Sequence, residues 1–101
     1  MHLDLENFTG RACNAGSAFE FVPRQGASHS LDELAERLSQ AGLTLEIRSP
    51  LVLVFIFDER EISWYKSNKL LVKGETDAAR AHSIAQRLFR AIQDPASAKK
   101  H

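Results

Sequence analysis

The chain is poor in the residues that usually announce a chemistry. It holds one cysteine, Cys13, which excludes an internal disulfide and by itself cannot build a zinc site. Neither sign of charge dominates: 13 basic residues balance 13 acidic ones. A general electrostatic affinity for nucleic acid or an anionic membrane is therefore not implied. The longest apolar run, Leu51 to Phe57, is far too short to span a bilayer. The five glycines never gather into a phosphate-cradling loop. His2, His29, His82 and His101 are scattered, with no two spaced for one helix face, so no metal and no cofactor are expected. The first six residues lack the basic and then apolar blocks of a secretory leader, which makes a cytoplasmic location the expectation.

What remains is an ordinary globular composition, 44% hydrophobic and 26% charged. A chain of this size has room for one domain burying about two thirds of its unfolded surface. Residues 1–17 are weakly patterned and read as an irregular N-terminal arm, 18–93 as a single α+β domain, and 94–101 as a flexible, basic tail.

Within the domain, Ala18 to Val22 alternates around Phe19 and Phe21 and ends at Pro23, which predicts a short edge strand. Ser30 precedes Leu31-Asp32-Glu33 as a capping box, and Leu31, Leu34, Ala35 and Leu38 share one helical face before Gly42 stops the helix. Leu43, Leu45 and Ile47 then alternate with polar residues. Leu51 to Phe57 is apolar throughout, as in a strand covered on both faces or lying centrally. Asp58-Glu59-Arg60 reads as a charged hairpin, and Ile62 and Trp64 alternate with Glu61, Ser63 and Tyr65. Ser67-Asn68 makes a second reversal, in which Asn tolerates positive φ, and Leu70 to Lys73 returns. Thr76 or Asp77 caps a last helix with Ala81, Ile84, Ala85, Leu88 and Ile92 inward, stopped by Asp94-Pro95. The sum is an α+β fold in the order strand, helix, four strands, helix. It gives an antiparallel sheet of about five strands with both helices packed on one face.

No catalytic constellation stands out. Cys13 is the one candidate reactive thiol, with Arg11 close in sequence, but a lone cysteine reads first as packing. Ser30 is accounted for by its cap, and Asp58, Glu59 and Glu61 by a solvated turn. Trp64 and Tyr65 are adjacent on a strand, so one of them faces away from the helices. An outward aromatic is either a partner contact or covered by the N-terminal arm. Lys66, Lys69 and Lys73 surround the same hairpin, where lysines also protect an edge. Trp64, Tyr65, Lys66 and Lys69 are the candidate partner-binding residues.

Read together, these segments resemble the C-terminal extension of bacterial adenylyltransferases of the ThiF/MoeB type, the ubiquitin-activating-like enzymes that adenylate a sulfur carrier. The stretches that carry the likeness are Leu31-Asp32-Glu33-Leu34-Ala35-Glu36-Arg37-Leu38 and Ser49-Pro50-Leu51-Val52-Leu53-Val54-Phe55. Glu61-Ile62-Ser63-Trp64-Tyr65, Leu71-Val72-Lys73-Gly74-Glu75-Thr76-Asp77 and Ala79-Arg80 continue it. Order and spacing agree from about residue 30 to 92. The family's nucleotide-binding core and its paired Cys-x-x-Cys zinc ligands have no counterpart here, and its Asp-Gly hairpin is replaced by Ser67-Asn68.

The resemblance implies a non-catalytic accessory domain, a stand-alone relative of that extension, beside sulfur-carrier or ubiquitin-like protein activation. Its protein partner would be an adenylyltransferase core or a small carrier protein. Two other readings stay open: a nucleic-acid-binding module using the open sheet face, and a self-associating structural protein that pairs as a homodimer through an edge strand.

Overall fold

The computed structural model describes residues 3–12, 17–26 and 29–93. Their elements run β1 (Phe8–Ala12), β2 (Ala18–Pro23), α1 (Leu31–Gln40), β3 (Leu45–Arg48), β4 (Val52–Phe57), β5 (Arg60–Tyr65), β6 (Leu70–Lys73) and α2 (Ala78–Gln93), after a 3-10 turn at Leu5–Asn7. The six strands form one antiparallel sheet in the spatial order β1-β2-β6-β5-β4-β3. Both helices pack on one face of it, which is the α+β architecture expected, with one strand more.

The extra strand comes from the segment expected to be an irregular arm. Phe8, Gly10 and Ala12 of β1 pair with Pro23, Phe21 and Phe19 of β2. Gly10 is required there: a Cβ on it would lie 2.9 Å from a ring carbon of both Phe19 and Phe21. The missing side chain leaves the space that the two rings fill. With β1 outside it, β2 is an interior strand paired also with β6, and not the edge that Pro23 suggested. Pro23 is tolerated because the pairing with β6 ends at Phe21, so only β1 flanks the strand there.

Helix α1 begins as its sequence predicts, with Ser30 Oγ accepting from Glu33 N at 3.1 Å, and Gly42 follows it at φ +87. At α2 the cap is Asp77, whose Oδ2 accepts from Arg80 N at 2.9 Å. Its inward stripe includes Phe89 besides the five residues expected, and Asp94-Pro95, the expected stop, lies outside the described residues.

Between the helices and the sheet lie Phe19, Phe21, Leu53, Phe55, Ile62, Trp64, Leu70 and Val72, all buried. Each such side chain contributes about 1.5–3 kcal/mol relative to exposure. The strands β4 to β6 are joined by two tight turns. At Asp58-Glu59 both central residues take positive φ, 54 and 61, the signature of a type I′ hairpin built without glycine.

Strand β3 departs from simple alternation. Its register with β4 shifts between Leu45 and Ile47, so Leu45 lies opposite Phe55 while Ile47 lies opposite Val54. The bulge turns Ile47 to the face away from the helices, where it is 50% exposed, and does not leave it beside Leu43 and Leu45. Arg48 correspondingly comes round to the helix side, 3.5 Å from Asp32 of α1.

Candidate functional site

Strand parity decides which side chains reach the uncovered face of the sheet. From β4 come Val52, Val54 and Ile56; from β5, Glu61, Ser63 and Tyr65. Leu71 and Lys73 come from β6, Glu20 and Val22 from β2, and Thr9 and Arg11 from β1. β4 was expected to be covered on both faces, or central. It is an interior strand, one in from the edge, with helices on one face only; of its second apolar row Val54 is buried at 8% and Ile56 is 45% exposed.

Trp64 belongs to the other face. It is fully buried and stacked on Phe89 of α2, with ring centroids 5.7 Å apart, and therefore offers no surface to a partner. Its indole N–H has no hydrogen-bond partner among the described residues. Tyr65 is the outward aromatic of the pair, half-buried on the open face. Lys69 Nζ stands 5.2 Å from the Tyr65 ring centroid, a cation–π geometry. The four-residue reversal that brings them together is held by Tyr65 N donating to Lys69 O at 2.9 Å and Asn68 N donating to Tyr65 O at 2.8 Å.

Glu20 completes this cluster from β2. Its carboxylate is ion-paired to Arg11 on one oxygen and lies 3.4 Å from Lys69 Nζ on the other. The Arg11 hydrogen bond holds the Glu20 carboxyl below its ordinary range against the opposing effect of burial, with Lys69 adding to it. A second pair, Lys73 with Glu61, lies two strands toward β4, and the Glu61 hydrogen bond raises the lysine's pKa. The open face thus carries a line Arg11–Glu20–Lys69–Tyr65 on one side and the apolar row of β4 on the other.

Of the four candidate residues, the structure brings together Tyr65 and Lys69. Lys66 lies apart, on the rim of a groove of 620 Å³ at the start of α1, with His29, Ser30, Arg48, Ser49 and Pro50. Cys13 lies outside the described residues. Glu20 and Arg11 were missed because they come from strands far from the hairpin in sequence. The alternation Phe19-Glu20-Phe21 was the available signal for Glu20; Arg11 sat in a segment with no visible period.

Among the described residues no group of three or more His, Cys, Asp or Glu side chains is placed to hold a metal ion. Ser30 Oγ is engaged as a helix cap, and Glu33 Oε1 lies 3.4 Å from His29 Nδ1 at the same helix start. No helix among the described residues is long and apolar enough to cross a membrane. No protein-family model, curated protein or solved structure matches the chain.

Proposed function

We propose that this chain is an accessory, protein-binding domain that docks a partner through the open face of its sheet, around Tyr65, Lys69 and Glu20. The observation that carries the reading is that both helices cover one face while the other keeps a half-buried tyrosine, a line of paired charges and an apolar row. A half-buried aromatic flanked by oriented charges is the usual anchor of a protein contact. The resemblance over residues 30–92 supplies the partner class: the core of a ThiF/MoeB-type adenylyltransferase, or the small sulfur-carrier or ubiquitin-like protein it activates, in the cytoplasm. The domain contributes shape and charge, and the chemistry belongs to its partner.

The nucleic-acid reading is less well supported. Single-strand binding needs an uncompensated basic groove lined with stacking aromatics. Here Arg11, Lys69 and Lys73 each sit against a carboxylate, and Tyr65 is the one aromatic side chain on this face among the described residues.

The test is a titration of the labelled chain with a carrier protein ending in Gly-Gly, and separately with an adenylyltransferase core lacking such an extension. Amide shifts are expected on β2, β5 and β6 around Tyr65, and Tyr65→Ala should weaken binding by about tenfold or more. No shift with either protein, or shifts confined to the helices, would defeat the proposal.

A further inference from the structure

We propose that a second copy of this chain joins antiparallel along the outer edge of β3, centred on Ile47, to continue the sheet across a two-fold axis. The inference is independent of the partner reading above and uses a different part of the molecule.

Apolar exposure is confined to one side of the fold. Among the described residues the exposed large hydrophobic side chains are Ile47, Leu51 and Ile56, at 50%, 68% and 45%. All three lie on β3, β4 or the turn that joins them. The opposite edge strand, β1, presents Thr9 and Arg11 on the same sheet face. Exposed large apolar side chains mark a candidate interaction site, and of the two edges this one carries them among the described residues.

The backbone of β3 is turned the right way for pairing. Ser49 N donates to Val52 O at 3.1 Å, so Ser49 faces β4. By the alternation of an antiparallel ladder, Arg48 directs its own N–H and C=O outward, away from the sheet. These are unpaired edge groups that another strand can meet.

The identity of that strand follows from charge. In an antiparallel pair centred on residue 47, each Glu46 lies opposite Arg48 of the second copy, and Ile47 lies opposite Ile47. Centring on residue 46 opposes two glutamates, and centring on 48 opposes two arginines. The segment Glu46-Ile47-Arg48 is therefore complementary to itself in one register. Arg48 is free to exchange, because its present contact with Asp32 is long and Asp32 is 93% exposed. In the joined sheet Ile47 and Ile56 of both copies would form one apolar strip on the open face, beside Val54, which is already buried. The bulge between Leu45 and Ile47 keeps the paired segment short, so this strip must supply much of the association.

Sedimentation velocity of the full chain over a range of concentrations tests the inference. A reversible monomer–dimer equilibrium is expected, abolished by Ile47→Lys. Glu46→Arg alone and Arg48→Glu alone each place like charges opposite one another and should weaken dimerisation about tenfold. The double reversal restores complementarity and should recover the wild-type constant to within about threefold. Tyr65→Ala, on another part of the face, should leave the equilibrium unchanged. A chain that stays monomeric throughout, or a dimer indifferent to Ile47→Lys and to both single reversals, overturns the proposal. Circular dichroism confirms that each variant is folded, and the charge reversals at exposed positions carry the test should Ile47→Lys unfold.

Discussion

The side-chain amide of Asn68 grips the backbone of His29, accepting from its N–H at 3.0 Å and donating to its C=O at 2.9 Å. Asn68 is buried at 2% exposure and sits at φ 70, so one residue both makes the β5–β6 turn and fixes the approach to α1 one position before the Ser30 cap. Two substitutions separate these roles. Asn68→Gly keeps the turn conformation and removes the grip, at a cost of about 1–3 kcal/mol for the two hydrogen bonds lost. Asn68→Ala loses the grip and also strains the turn, which adds roughly 1 kcal/mol. Urea unfolding should rank the wild type above Asn68→Gly, and that above Asn68→Ala.

Acid should destabilise the fold through two glutamates. Glu75, 5% exposed, has its carboxyl held below the ordinary value by the Arg60 hydrogen bond at 3.0 Å and by the backbone N–H of Asp77. Glu20 is lowered mainly by Arg11. For a carboxyl depressed in the folded state, the stabilisation is full above its unfolded pKa and is lost as pH falls through the folded one. Thermal unfolding should therefore drop as pH falls below the ordinary glutamate value. Glu75→Gln should flatten that acid limb, and an unchanged slope would remove the Arg60 pair from the account.

The type I′ turn at Asp58-Glu59 holds two ordinary residues in a conformation that glycine adopts without strain. Asp58 is compensated, because its carboxylate meets Arg87 of α2 at 2.8 Å, a hydrogen bond that lowers its carboxyl below the ordinary value. Among the described residues no ion pair or hydrogen bond involves the Glu59 side chain, which is exposed. Glu59→Gly is expected to stabilise the domain by roughly 0.5–1 kcal/mol, read as a rise in the urea midpoint with unchanged slope.

Gly10→Ala tests the missing side chain under Phe19 and Phe21. The added methyl would force both rings to move, and overpacking of this kind costs about 1–3 kcal/mol. Loss of the upfield-shifted ring contacts in proton spectra would accompany it. A neutral outcome would mean that the two rings yield freely.

Local chemistry made much of the fold legible and stopped where long-range pairing took over. The Ser30 cap, the Gly42 stop and the positive φ of Asn68 are all settled within a few residues, and sequence reasoning reached them. β1 was invisible because its inward row is Phe8, Gly10 and Ala12, a pattern that becomes apolar only once the rings of β2 fill the gap. The edge position assigned to β2 failed for the same reason. Parity showed that Trp64 and Tyr65 part company, but only the register with β4 and β6 shows which of them is inside. Ile47 changed faces because a bulge leaves no mark on hydrophobic alternation. The Tyr65–Lys69–Glu20–Arg11 line spans three separate segments, β1, β2 and the β5–β6 hairpin, so no short sequence window contains it.

Gln93 near the end of α2 makes a second grip of the same kind as Asn68, donating to Leu3 O at 2.7 Å and accepting from Leu3 N at 3.1 Å. Positions 3 and 93 are thereby neighbours, so the fold has its entry and exit side by side at one pole. Such a bead can be spliced into a surface loop of a host protein without stretching it, or reopened at a hairpin and rejoined by a short tether between these two positions.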